Sequence, residues 1–375
     1  MKDERFDDLR PYYDEEVPEA MNRIAENEYF SALVLFIYPG MDVERVRAVL
    51  RSHTSVSDFQ FNTMKDVNER VITRSIRHFT YEGIGELDRT KSYLFVSNHR
   101  DIMLDSSLLQ YALFRSGYPT TEISFGSNLM RSQLMIDIGR SNKMFKVMRG
   151  GNAREVYRNS LHLSEYLRYT IMEKCESAWI AQRNGRTKDG YDATDQGIVK
   201  LFTMACPSDP IQALKDLNIV PVSISYGWEP CDRRKAYELY TRKRTGVYVK
   251  EPDEDVKSII LGLMQYKGDV HICVGEPLAE DDLERLRGCS LSMITREVAA
   301  LIDDRIRRNY RLGYNNFIAY DLLNKSKTYA LYYTLTERRE FMSYLRKTIT
   351  RDTEDPDLMR EIFLRIYANP IRYIR

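Results

Sequence analysis

His99 closes the apolar run Tyr93-Leu94-Phe95-Val96-Ser97-Asn98-His99, and two carboxylates follow it, Asp101 and Asp105. An imidazole is the side chain best matched to taking up a proton near neutral pH, and a carboxylate on one ring nitrogen fixes the tautomer that leaves the other free to do so. The run before it reads as a buried strand, and α/β sheets hold their chemistry at the carboxyl ends of strands. The residues therefore predict a general base, His99, oriented by Asp105, with Asp101 as the alternative orienting carboxylate. Further along, Arg149 ends the segment Ser141-Asn142-Lys143-Met144-Phe145-Lys146-Val147-Met148-Arg149, and Arg183, Arg186 and Lys188 follow Trp179-Ile180-Ala181-Gln182. Cations of this kind are candidate holders of a phosphate. There is no serine nucleophile elbow, no catalytic-cysteine motif and no metal-ligand spacing.

The elements that must position these groups follow from the pattern of apolar residues. Residues 1 to about 75 read as helical, with Pro39-Gly40 as punctuation before the helical spacing of Met41 to Leu50. Strands are expected at Phe79 to Ile84, Leu94 to Ser97, Ala178 to Gln182, Ile219 to Tyr226 and Val270 to Val274. Amphipathic helices lie between them at Asp105 to Arg115, Tyr157 to Glu173 and Thr194 to Ala205. Such alternation predicts an α/β core with a mixed, mainly parallel sheet flanked by helices. Beyond about 290 the chain returns to helix, at Met293 to Arg308 and Ser343 to Tyr367. The expected organisation is an N-terminal helical domain, 1–75, an α/β core, 76–290, and a C-terminal helical extension, 291–375.

Four segments recur in a recognisable order: Asn98-His99 to Asp105, the segment ending in Arg149, Trp179 to Gly190, and Ile219-Val220-Pro221-Val222 to Tyr226. Together they resemble the glycerolipid acyltransferase superfamily, the glycerol-3-phosphate and 1-acylglycerol-3-phosphate O-acyltransferases. That family carries N-H-x4-D after a strand, then F-x-x-R, then an apolar-E-G-x-R-S segment, then an apolar V-P-V strand. Tyr81-Glu82-Gly83 is similar to the family's leading strand and Val274-Gly275-Glu276-Pro277 to its closing turn, so the resemblance spans roughly residues 76 to 280. It implies transfer of a fatty acyl group from acyl-CoA or acyl carrier protein, as co-substrate and with no other cofactor, to a glycerol-phosphate or lysophospholipid hydroxyl. His99 and Asp105 would be catalytic, and Arg149, Arg183, Asn184, Gly185, Arg186 and Lys188 would bind substrate. The chain departs from the pattern twice: the spacing is H-x5-D, and Asn184 stands where the family has Glu. Those departures leave open an amino-acid lipid as acceptor, or an inactive lipid-binding relative.

Composition excludes other classes. The 375 residues carry a net charge of +1, so no global field draws the chain to nucleic acid. His99-Arg100-Asp101 imitates a kinase catalytic loop, but no glycine-rich loop precedes it and no D-F-G follows. Five cysteines without C-x-x-C spacing read as free thiols. His53, His78, His162 and His271 have no supporting context and read as structural. With no signal peptide and no run of the ~20 apolar residues that span a bilayer, the expected location is cytoplasmic, peripheral on the inner face of the cell membrane. The C-terminal residues Ile362 to Arg375 mix basic, aliphatic and aromatic side chains, which suits a helix docked on its own domain or, alternatively, an anionic membrane surface.

Overall fold

A computed structural model describes residues 3–349 and 353–373. Seven strands form one sheet in the order β1-β7-β6-β2-β5-β3-β4: β1 is Ile76–Glu82, β2 Leu94–Ser97, β3 Glu122–Gly126, β4 Met144–Val147, β5 Ala178–Ala181, β6 Ile219–Tyr226 and β7 Gly268–Val274. β6 and β7 run antiparallel, and every other neighbouring pair is parallel. This is the expected class, a mixed, mainly parallel sheet flanked by helices.

Helices cover both faces of the sheet. Leu94, Val96, Ile180 and Ile219 pack on one side with Leu167, Phe202 and Ile302. Phe95, Trp179, Val220 and Val222 pack on the other with Leu108, Leu113 and Phe125. Burial on both faces is why Leu94 to Val96 of β2 and Ile219 to Val222 of β6 read as apolar runs, and why Ser97, Ser223 and Ser225, which end or interrupt them, are buried too. Before β1 the described chain is helical; Val17, Met21, Ile24, Phe30, Leu50 and Phe59 form a cluster there, while Phe6 and Leu9 reach into the sheet's own core. After β7, the helix Leu291–Arg308 joins the sheet core, and Ile318, Phe341, Phe363 and Tyr367 cluster with Trp228, Ala236 and Tyr240.

Several expectations are corrected. β3 and β4 carry no strand signal strong enough to be expected. β3 opens on Glu122, fully buried because Tyr166 and Lys174 answer its carboxylate, and β4 is four residues long. The stretch Ser343 to Tyr367 is two helices, Leu335–Thr348 and Pro356–Ala368. Pro356 has no N–H to give, its predecessor Asp355 is non-helical (φ −128°, ψ 84°), and Asp355 Oδ1 caps the new helix through Leu358 N at 3.0 Å. The apolar face of the last helix is docked inward: Ile362, Phe363, Leu364, Ile366 and Tyr367 are buried, so this face is not free for a membrane. Residues 374 and 375 of that expected segment lie outside the described residues. The cysteines are free thiols, and no described helix is long and apolar enough to cross a membrane.

Candidate active site

β2 stops at Ser97, but Asn98 extends its pairing with β6 by side chain. Its amide accepts from Ile224 N at 2.8 Å and donates to Ile224 O at 3.0 Å. That clamp fixes the next residue, His99, at the strand's carboxyl end. The chain then turns through Arg100 to Met103 into the helix Leu104–Arg115. Asp101 caps this helix, with Oδ1 accepting from Met103 N and Leu104 N, both at 2.9 Å. Asp105, in the helix's first turn, is fully buried and turned back to His99 Nδ1 at 2.9 Å.

The longer H-x5-D spacing is thereby accommodated by the capped turn, and Asp105, not Asp101, touches the imidazole. The alternative assignment to Asp101 is corrected: its Oδ1 is taken by backbone N–H groups, and its buried Oδ2 meets no hydrogen-bond partner among the described residues, the imidazole included. Burial first, and the Asp105 charge second, raise the Asp101 carboxyl above its ordinary value. Asp105 also accepts from Arg100 N at 2.6 Å, Asp101 N at 2.9 Å and the Tyr226 hydroxyl at 2.7 Å. Four donors thus satisfy a carboxylate that would be costly to bury unpaired. The ring of His99 meets Trp179 edge-on at 6.1 Å. With Nδ1 engaged, Nε2 has no hydrogen-bond partner among the described residues, and the ring lines a cleft of about 420 Å³.

The cleft lies where β2, β5, β3 and β4, adjacent and parallel, all end. His99, Arg149, Arg183, Asn184, Gly185, Arg186 and Lys188 all line it, so the structure brings together the residues the sequence singled out, with Asp105 directly behind. Arg149 lies across the end of β3, where Gly126 makes room: a Cβ there would sit 2.8 Å from Arg149 Nε. Burial lowers the Arg149 pKa. Asp255, the carboxylate felt by Arg149, is already bonded by Lys250 at 2.7 Å and Asn128 at 3.0 Å. Arg149, Arg183 and Arg186 make no ion pair among the described residues, and Arg186 Nη1 is buried without a hydrogen-bond partner. Lys188 is different, because Glu238 answers its charge.

Four residues that sequence reasoning missed hold this arrangement. Arg100, fully buried, donates to Asp192 at 2.6 Å and Glu229 at 3.1 Å, and Lys235 completes the cluster through Glu229 at 2.6 Å. Asp192 also accepts from Asn98 Nδ2 at 3.1 Å and Thr187 Oγ1 at 2.7 Å, while its N–H donates to the Tyr373 hydroxyl at 2.6 Å. Thr187 N donates to His99 O at 2.7 Å. Asp192 therefore ties the loop carrying Arg183 and Arg186 to the backbone of the imidazole. Tyr226 was signalled as the last residue of an expected strand; Asp192 and Glu229 left no signal, since the Arg100 that joins them is far off in sequence. The other histidines bond away from the cleft, His53 to Thr63, His78 to Asp269, His162 to Asp8 and His271 to Thr80.

No protein-family model matches the chain, and no curated protein sequence does. Among solved structures it is similar to the 1-acyl-sn-glycerophosphate (LPA) acyltransferase PlsC from Thermotoga maritima. The identity is 13%, the match covers 78% of this chain and 95% of that one, and the TM-score is 0.38. A likeness that remote assigns no activity.

Proposed function

We propose that the chain is an O-acyltransferase, moving a fatty acyl group from an acyl-CoA or acyl-carrier-protein thioester to a hydroxyl of a glycerol-phosphate or lysophospholipid-type acceptor. One observation carries the reading: the His99–Asp105 pair borders a cleft in which three arginines lack carboxylate partners. A paired imidazole supplies a base, and unpaired guanidinium groups are what a phosphate requires. The order of motifs along the chain supports the same class.

In this reading His99 Nε2 takes the proton of the acceptor hydroxyl as its oxygen attacks the thioester carbonyl. The carbon–sulfur bond breaks when the tetrahedral intermediate collapses, and the imidazolium returns its proton to the departing thiolate. Asp105 keeps Nδ1 protonated and steadies the imidazolium. Arg149, Arg183 and Arg186 hold the acceptor's phosphate. Asn184 and Gly185 shape the same loop, and Lys188 acts there through Glu238.

The test is transfer itself. Purified chain, a labelled long-chain acyl-CoA or acyl carrier protein, and glycerol 3-phosphate or a lysophospholipid should yield a labelled ester in the lipid extract. Absence of ester with every donor and acceptor pair would remove the assignment.

A further inference from the structure

Two polar atoms beside the cleft are buried and bonded to nothing among the described residues, Asp101 Oδ2 and Arg186 Nη1. They belong to side chains of opposite charge, one on the turn that enters the helix Leu104–Arg115 and one on the loop after β5. The turn explains why Asp101 is left half used. Its Oδ1 accepts from Met103 N and Leu104 N, and this cap holds the carboxylate in place. Its Oδ2 faces the helix Glu254–Met264 at Gly262, where a Cβ would lie 2.3 Å away. Glycine leaves room there for the carboxylate and brings it no side-chain donor.

Charged and titratable groups face Asp101 from several elements. The Asp105 charge, on the same helix, opposes its ionisation, and the Arg186 charge favours it. Lys267, just before β7, is within electrostatic reach, but its Nζ is spent on Ser75 Oγ and the Gln265 carbonyl. The Cys231 thiol and the Tyr226 phenol feel the Asp101 charge as well; the phenol gives its proton to Asp105, and the thiol meets the Ser258 carbonyl. Arg186 is therefore the cation near Asp101 with donors to spare, and it also lines the cleft. A guanidinium has five N–H groups, so two anions can draw on it from different sides. A buried carboxylate that lacks a bonded cation is costly and draws strongly on the one within reach.

We infer that Asp101 is a positioning residue for Arg186, an internal counter-anion that holds the guanidinium at the cleft wall and competes for it with the phosphate of the ligand. That role rests on the proposed reading only in giving the cleft's ligand a phosphate. Its consequence is a tempered grip: the cleft binds phosphate less tightly than its cations alone would, and a phosphate-bearing product leaves more readily.

The experiment is calorimetric titration of the full chain with inorganic phosphate near neutral pH, with no acyl donor present. Asp101→Asn keeps an oxygen to cap the helix and removes the charge, so its thermal melt should stay near that of the unmodified chain. Its Kd for phosphate should fall about 10-fold, the scale of one like charge removed a few ångströms from a bound anion. In an Arg186→Ala background the same exchange should bring no gain, because the guanidinium that the two anions share is gone. A merely structural role for Asp101 would not depend on Arg186 in this way. Asp101→Ser, which also caps, serves if the Asn variant unfolds. Unchanged or weaker binding by the uncharged variant, a gain that survives Arg186→Ala, or phosphate binding by none of these proteins overturns the proposal. The predicted pattern in a chain that transfers no acyl group keeps this inference and removes only the acyl-transfer reading.

Discussion

Arg100 and Arg186 occupy two loops held together by Asp192, yet they are opposites. Arg100 is fully buried, and Asp192, Glu229, the Gly190 carbonyl and the Tyr310 ring answer its charge. Arg186 borders the cleft with a buried Nη1 that no acceptor meets. Burial alone opposes a charge on Arg100, but the two carboxylates outweigh it and hold its pKa well above the ordinary value. A cation with all its acceptors inside the protein is structural, whereas one kept beside a cavity without them is available to a ligand. The ion cluster behind His99 thus carries the architecture, and the cations in front of it are left for chemistry.

The comparison can be broken most severely from behind. Arg100→Met leaves the buried Asp192 carboxylate without its cation, while Glu229 keeps Lys235, and loss of one partner of a buried pair costs about 3–5 kcal/mol; chemical denaturation should show that loss. In front, Arg186→Ala or Arg149→Ala should leave the denaturation midpoint nearly unchanged. Steady-state kinetics should instead show the KM for a phosphate-bearing acceptor raised about 10- to 100-fold, the worth of a charged hydrogen bond. If Arg186→Ala destabilised the fold as Arg100→Met does, the distinction would fail. Smaller again, Tyr373→Phe removes the hydroxyl that meets Asp192 N and the Gly190 carbonyl, which should cost about 1 kcal/mol.

Lys267 sharpens the contrast from a third side. It is fully buried like Arg100, but its Nζ meets Ser75 Oγ and the Gln265 carbonyl, with no carboxylate in ion-pair reach among the described residues. Burial pushes its pKa down to about 8. The unfolded chain, with Lys near its ordinary value, binds more protons between those two values, so this group makes stability rise as pH climbs from about 8 towards 10. Lys267→Met should remove that component, seen as a flatter dependence of the denaturation midpoint on pH over the same interval.

Much of the site was legible because its signals are local. An apolar run that ends on Asn98-His99 declares both a strand and what stands at its end, and Asp105 is close enough in sequence to be paired with it. The choice between Asp101 and Asp105 needed the backbone, since only the capped turn at Met103 and Leu104 shows which carboxylate is already committed. β3 and β4 escaped because buried strands so short, one opening on a satisfied Glu122, offer too few apolar residues to register. Asp192 and Glu229 escaped because a buried charge is explained by its partners, and the Arg100 that joins them lies 92 and 129 positions away. On the helix Glu254–Met264 a periodicity argument would choose the wrong face, for Glu254, Ser258 and Gly262 are buried while Val256, Ile260 and Met264 are exposed.

The central claim is that His99, held by Asp105, takes the proton from an acceptor hydroxyl. It is tested most directly by thiol release from a long-chain acyl-CoA in the presence of a phosphate-bearing acceptor, with the unmodified chain and His99→Ala side by side. The account predicts acceptor-dependent release that falls by ~10²–10⁴-fold in the variant, with an unchanged melting temperature. Equal rates in the two proteins would contradict it.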